Sequence, residues 1–175
     1  MVEKLLLTHL IEAEAIQFGD FVLASGKKST VYVDIKKAIT DPIILRTIAQ
    51  SVMALKLPFD LVAGVAVGGV PLATAVSLES GRPYCIIRKE QKGHGLSSLI
   101  IGDVRGNTAL MIEDVTTSGG SALFGVEQIR AAGGIITSIV TVVDRDEGAT
   151  EMLASSGITL IPLVSMSDLL KEQKI

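Results

Sequence analysis

Cysteine is almost missing from this 175-residue chain: Cys85 is the only one. No disulfide can form within the chain, which suits a reducing compartment and predicts a cytoplasmic protein. Long apolar runs are missing as well. Apolar residues make up 48% of the chain and the mean hydropathy is +0.50. Each run is nevertheless cut short by Gly, Pro or charge, so none is long enough to cross a bilayer. The first residues, Met1-Val2-Glu3-Lys4-Leu5, lack the basic region, apolar stretch and cleavage site of a secretory leader. Positive charge is not in excess. A net charge of −3 and a pI near 5.4 argue against nucleic-acid binding through bulk electrostatics. Repeats, low-complexity tracts and linkers are also lacking, so the length predicts one domain with a substantial core. The surplus of aliphatic residues also fits a buried face between subunits.

What is present falls into two patterns. Residues 3–15 carry Leu6, Leu7, Leu10 and Ile11 at helical spacing. Residues 16–23 and 31–35 read as two short strands of a hairpin-like cap, joined by a basic loop, Ser25-Gly26-Lys27-Lys28-Ser29. Asp41-Pro42 supplies an N-cap and a proline in the first turn of a helix running to about residue 55. From residue 59 strands alternate with helices. Strands are expected at 61–67, 83–87, 109–112, 135–143 and 158–163. Gly68-Gly69-Val70-Pro71 turns the chain into a helix ending near Gly81, and further helices follow over 121–132, 147–156 and a short last segment capped by Ser167. Continuous apolar strands of this kind are those of an α/β fold, an open and mostly parallel sheet flanked by helices. A small N-terminal hood over roughly 1–40 would precede a core over roughly 41–175.

In such sheets ligands bind beyond the carboxyl ends of the strands. Four segments fall there. Glu113 and Asp114 end an apolar strand, and Thr116-Thr117-Ser118-Gly119-Gly120-Ser121 leads into a helix. That loop offers many backbone N–H groups and little bulk, as a phosphate at a helix N-terminus requires. The two acids cannot hold the phosphate, but they suit sugar hydroxyls or a metal. Gly68-Gly69 permits either a tight turn or close backbone approach to a ligand. Arg88-Lys89-Glu90-Gln91-Lys92-Gly93-His94-Gly95 concentrates cations at the strand edge, where they could neutralise a leaving pyrophosphate. The glycines and the length of the segment to Gly106 predict a lid. Arg145 is open to two readings, a surface ion pair or a fork onto a substrate carboxylate. Lys36 and Lys37 face ligand or solvent, His9 faces solvent, and Cys85 belongs to the core.

These residues resemble a family. Ile112 to Ser121 resembles the phosphoribosyl-diphosphate (PRPP) motif of type I phosphoribosyltransferases. Arg88 to Gly95 resembles the catalytic loop of the orotate phosphoribosyltransferases. Phe21 to Ser29, followed by Tyr32-Val33-Asp34, resembles that family's hood. The likeness spans about residues 16–145. It implies transfer of ribose 5-phosphate from PRPP to orotate, giving orotidine 5′-monophosphate and pyrophosphate, with Mg²⁺. Glu113 and Asp114 would hold the ribose hydroxyls, with Mg²⁺ carried by PRPP nearby. Val115, Thr116, Thr117, Ser118, Gly119, Gly120 and Ser121 would line the 5′-phosphate site. Thr117 and Arg145 would contact orotate, and Arg88, Lys89, Lys92 and His94 would act on the pyrophosphate. The resemblance also implies a homodimer with shared active sites.

Two positions depart from the pattern. Ala24 and Gly68 stand where relatives often carry lysine. Lys27, Lys28 and Lys36 are the candidates to compensate; otherwise the chain is slower or takes another base. The alternatives are a purine phosphoribosyltransferase, a non-catalytic PRPP-binding regulator, and a flavodoxin-like binding module. An anionic base calls for a cation such as Arg145, which favours orotate. A regulator would need a DNA-binding module for which the chain has no room, and a simple binding module leaves the cationic loop unexplained.

Overall fold

The alternation of strand and helix builds a six-stranded sheet in the order β5-β4-β3-β6-β7-β8. The computed structural model describes residues 2–22, 28–90 and 99–172, apart from the side chains of Val2, Glu3, Lys4 and Glu172. The sheet comprises β3 (Leu61–Val65), β4 (Tyr84–Ile87), β5 (Ile100–Ile101), β6 (Thr108–Thr116), β7 (Ile135–Asp144) and β8 (Thr159–Ser165). All neighbours pair in parallel except β4 with β5. Strand side chains alternate between the two faces. Val62, Leu110, Ile112 and Val140 therefore enter one core with α1 (Val2–Glu12), α3 (Pro42–Ala54) and α4 (Gly69–Ser80). Leu61, Ala63, Met111 and Ile139 enter the other, with α5 (Gly120–Ala131) and α6 (Ala149–Ser155). Both faces are covered, which is why the central strands are apolar without a break.

Ahead of the sheet, β1 (Ile16–Val22) and β2 (Lys28–Val33) form an antiparallel pair, with an irregularity between Phe18 and Phe21; β2 starts inside the expected basic loop and stops short of Ile35, which the sequence pattern places in the strand. Its Val31 and the Ile35 of α2 (Ile35–Ala38) are buried in the α3/α4 core. The Asp34 carboxylate caps α2 by accepting from the Lys37 amide at 3.3 Å. Asp41 caps α3 by accepting from the Ile43 amide at 2.7 Å, with Pro42 in the first turn.

Four further expectations need correction. The third expected strand, 109–112, runs on through both acids to Thr116; buried carboxylates interrupt an apolar pattern without interrupting a strand. The lid expected as far as Gly106 is not one from Leu99 onward. Leu99 O accepts from the Arg88 amide at 2.8 Å, Ile100 and Ile101 pair with β4, and Val104 is buried. The last helix, α7 (Met166–Glu172), is capped by Ser165, whose Oγ accepts from the Asp168 amide at 3.1 Å, and not by Ser167. His9 is half-buried, its ring 3.4 Å from the Thr47 hydroxyl, and does not simply face solvent.

Candidate active site

The carboxyl edge of the sheet is centred on the end of β6. Glu113 and Asp114 are adjacent on one strand, so their side chains leave opposite faces. Glu113 points toward α5, with the Ser121 hydroxyl and Lys89 near enough to favour its charged form. Burial, reinforced by the Asp114 charge, pushes the Glu113 carboxyl up to about 8, while Lys89, Ser121 and Lys36 pull it down. Asp114 points toward α4 and α2. A Cβ added at Gly68 would stand 2.2 Å from Asp114 Oδ2, so the carboxylate fills the space that a side chain at position 68 would take. Lys36 Nζ lies 3.1 Å from the same oxygen. That contact is an ion pair and not a hydrogen bond: Asp114 Oδ2 and, on the other face, Glu113 Oε1 are both buried without a hydrogen-bond partner. Buried oxygens in that condition are expensive and mark a place where a ligand completes the site.

Between β6 and α5 the chain turns through Gly119, at φ +82°. A Cβ there would press on Met152 and Ala149 of α6, so glycine is needed for conformation and for space. Gly119 is also the N-cap of α5 and brings no side-chain cap. The first-turn amides are left to an external acceptor, and nothing lies within 4 Å of a Cβ added at Gly120. An open helix start of this kind takes phosphate. Lys89, Ser121 and Phe124 line a hollow of about 300 Å³ beside it.

The neighbouring strand β7 ends in register, Thr116 opposite Asp144. The buried Thr116 hydroxyl donates to Asp144 Oδ1 at 2.9 Å, and Thr116 O accepts from the Arg145 amide at 2.9 Å. These bonds clamp the two strand ends and carry Arg145 to the site edge. Arg145 Nε lies 3.1 Å from Glu147 Oε1, yet it is buried without an aligned acceptor. Asp146, at φ +55°, accepts from the Ser167 amide at 2.8 Å and anchors the loop behind it.

The structure thus gathers Arg88, Lys89, Glu113, Asp114, Val115, Thr116, Thr117, Ser118, Gly119, Gly120, Ser121 and Arg145 along the sheet's carboxyl edge. Lys92 and His94 lie outside the described residues, as do Ala24 and Lys27. Thr116 enters as a clamp, since its hydroxyl is committed to Asp144. Two contributors were given no role of their own by sequence reasoning, Asp144 and Glu147, although both lie in the short segment that carries Arg145. Lys36 was left between ligand and solvent, and no local pattern could have decided it, because its partner is distant in the chain. Among the described residues, no cluster of three His, Cys, Asp or Glu could hold a metal on its own. Cys85 is buried, and burial pushes its thiol up to about 11, as for an inert core residue.

A mostly parallel sheet ending in buried acids, an uncapped helix start and edge cations makes a site suited to a phosphorylated sugar. Comparison with known proteins makes the class specific. Residues 33–161 match the model of the phosphoribosyl transferase domain. Orotate phosphoribosyltransferase of Methanospirillum hungatei is 65% identical over 170 residues, covering 97% of this chain and 99% of that one. The solved orotate phosphoribosyltransferase of Aeropyrum pernix is 31% identical with a TM-score of 0.83, covering 99% of this chain and 98% of that one. The Mycobacterium tuberculosis enzyme, solved in complex with PRPP, is 28% identical with a TM-score of 0.79, covering 97% and 99%. The chain belongs to the phosphoribosyltransferase family and, within it, to the orotate phosphoribosyltransferases.

Proposed function

We propose that this protein transfers the 5-phosphoribosyl group of PRPP to orotate with Mg²⁺, as a cytoplasmic homodimer whose 175 residues form a single hooded domain. The observation that carries the reading is the conjunction at the end of β6. Two buried acids border an uncapped helix start, and Arg145 stands one residue beyond the neighbouring strand. The amides of residues 117–121 take the 5′-phosphate, Glu113 and Asp114 take the ribose hydroxyls, and Arg145 takes the carboxylate of orotate, with Thr117 beside it. Arg88 and Lys89 follow β4 at the side where pyrophosphate would leave. Lys92 and His94 join them on the strength of the sequence motif.

The bond from the anomeric carbon to the pyrophosphate oxygen breaks while the base nitrogen bonds to that carbon. No protein nucleophile is needed, so catalysis is positioning plus stabilisation of departing negative charge. Glu113 and Asp114 fit a hard cation, each having a buried oxygen without a hydrogen bond; when bound, Mg²⁺ would neutralise diphosphate charge. Support for the dimer comes from exposed Ile43, Val67 and Leu78 and from an apolar groove between α3 and α4.

The test is pyrophosphate release with PRPP and a panel of bases, with and without a chelator. Turnover is expected with orotate and metal; turnover of adenine, guanine or xanthine but not orotate would overturn the reading. Mixing inactive Lys92→Ala and Asp114→Asn chains should restore activity if subunits share sites, and no recovery by a mixed dimer argues for self-contained sites.

A further inference from the structure

The turn after β3 carries no charged side chain: Val67, Gly68 and Gly69 stand there. A side chain at 68 is incompatible with the present position of Asp114, as the 2.2 Å approach to Oδ2 shows. Asp114 is 7% exposed, and the described cation that contacts it comes from the hood side, from Lys36 of α2 at 3.1 Å. The Lys36 side chain is 68% exposed, so its ammonium reaches the rim of the site, free to meet a ligand there. The turn of helix that carries it is tied at both ends: Asp34 caps it, and Ile35 and Ala38 are buried beneath it. Its neighbour Lys37 points elsewhere, to Glu14 at 3.3 Å.

We propose that Lys36 is a positioning residue for the phosphoribosyl donor: its ammonium keeps the Asp114 carboxylate seated against Gly68, and brings from the hood a positive charge to a turn that carries none. The inference rests on the PRPP reading of the site. The contact fixes where the Asp114 carboxylate points, between Lys36 Nζ and the bare backbone of Gly68. Held there, Asp114 presents its oxygens to the ribose hydroxyls, and the exposed ammonium adds attraction for an anionic donor. Arginine should serve nearly as well as lysine, because charge and reach are what matter; a neutral side chain of similar length should not.

The experiment is calorimetric titration of Mg-PRPP into the full-length protein, its Lys36→Met variant and its Lys36→Arg variant, with steady-state kinetics and thermal melts alongside. Lys36→Met should weaken PRPP binding about tenfold, the scale of one charge-assisted contact. The KM for orotate and the melting temperature should stay as they were, and Lys36→Arg should recover most of the lost affinity. Unchanged PRPP affinity in Lys36→Met would overturn the proposal while leaving the donor reading intact. So would equal weakening of PRPP and orotate together with a lowered melting temperature, the mark of a structural role. Failure of the unmodified protein to bind PRPP would overturn both.

Discussion

Two adjacent parallel strands, β3 and β6, end at the same edge of one sheet and deliver opposite equipment. The end of β6 and the turn into α5 bring their own chemistry: Glu113, Asp114, the hydroxyls of Thr117, Ser118 and Ser121, and a helix start without a side-chain cap. The loop after β3 brings none. Its glycines provide space: a Cβ at Gly68 would strike Asp114, and one at Gly69 would come within 2.7 Å of Ile112 O. One loop is read from its residues. The other is read only from what neighbouring elements put into it, a carboxylate from β6 and an ammonium from α2. An empty-looking turn can therefore be part of a charged site.

Breaking the richer loop should cost most. Asp114→Asn is expected to lower kcat/KM for PRPP by on the order of 10²–10³-fold, as for loss of a preorganised electrostatic group; a change of a few-fold would reduce Asp114 to a packing residue. At the β7 end, Arg145→Ala should raise the KM for orotate by about ten- to a hundredfold with PRPP affinity held. Equal loss of both ligands would instead assign Arg145 to the strand-end clamp.

The glycines separate the two loops more finely. Gly119→Ala places an L-residue at φ +82° and against α6, at a cost of about 1–3 kcal/mol. Both melting temperature and PRPP affinity should fall. Gly68 sits at φ −64°, which alanine adopts freely, so Gly68→Ala should leave the melting temperature alone. It should weaken PRPP binding about tenfold, because only Asp114 must move. Identical behaviour of the two variants would erase the distinction between the loops.

The two faces of β6 also differ in pH dependence. Glu113 ionises near its ordinary 4.5 when unfolded and near 8 when folded. Between those values the folded protein holds a proton that the unfolded chain releases. Stability therefore falls as pH rises through that window. Glu113→Gln, which keeps the neutral shape, should flatten the slope in thermal melts from pH 5 to 9; an unchanged slope would place the titration elsewhere.

Much of this was legible in the residues. The apolar run over 61–65 and the Asp41-Pro42 start led correctly to β3 and α3, because burial on both faces and helix capping are local signals. Ile100–Ile101 was not legible: two residues in a polar segment make a strand only because β4 lies beside them. The acid pair was legible as chemistry but not as geometry. Reading Glu113 and Asp114 as one unit hides that a strand turns them to opposite faces, one to Ser121 and Lys89, the other to Gly68 and Lys36.

The amino-acid sequence by itself determined the alternating elements, the loop of amides and hydroxyls, and the presence of acids and an arginine at strand ends, since each depends on neighbours in the chain. The tertiary structure alone decided which charges meet. Lys36 reaches Asp114, Thr116 is taken by Asp144, and Arg145 stands beside Glu147. Electrostatic contact depends on distance through space, and only the packing of α2 and β7 against β6 sets those distances.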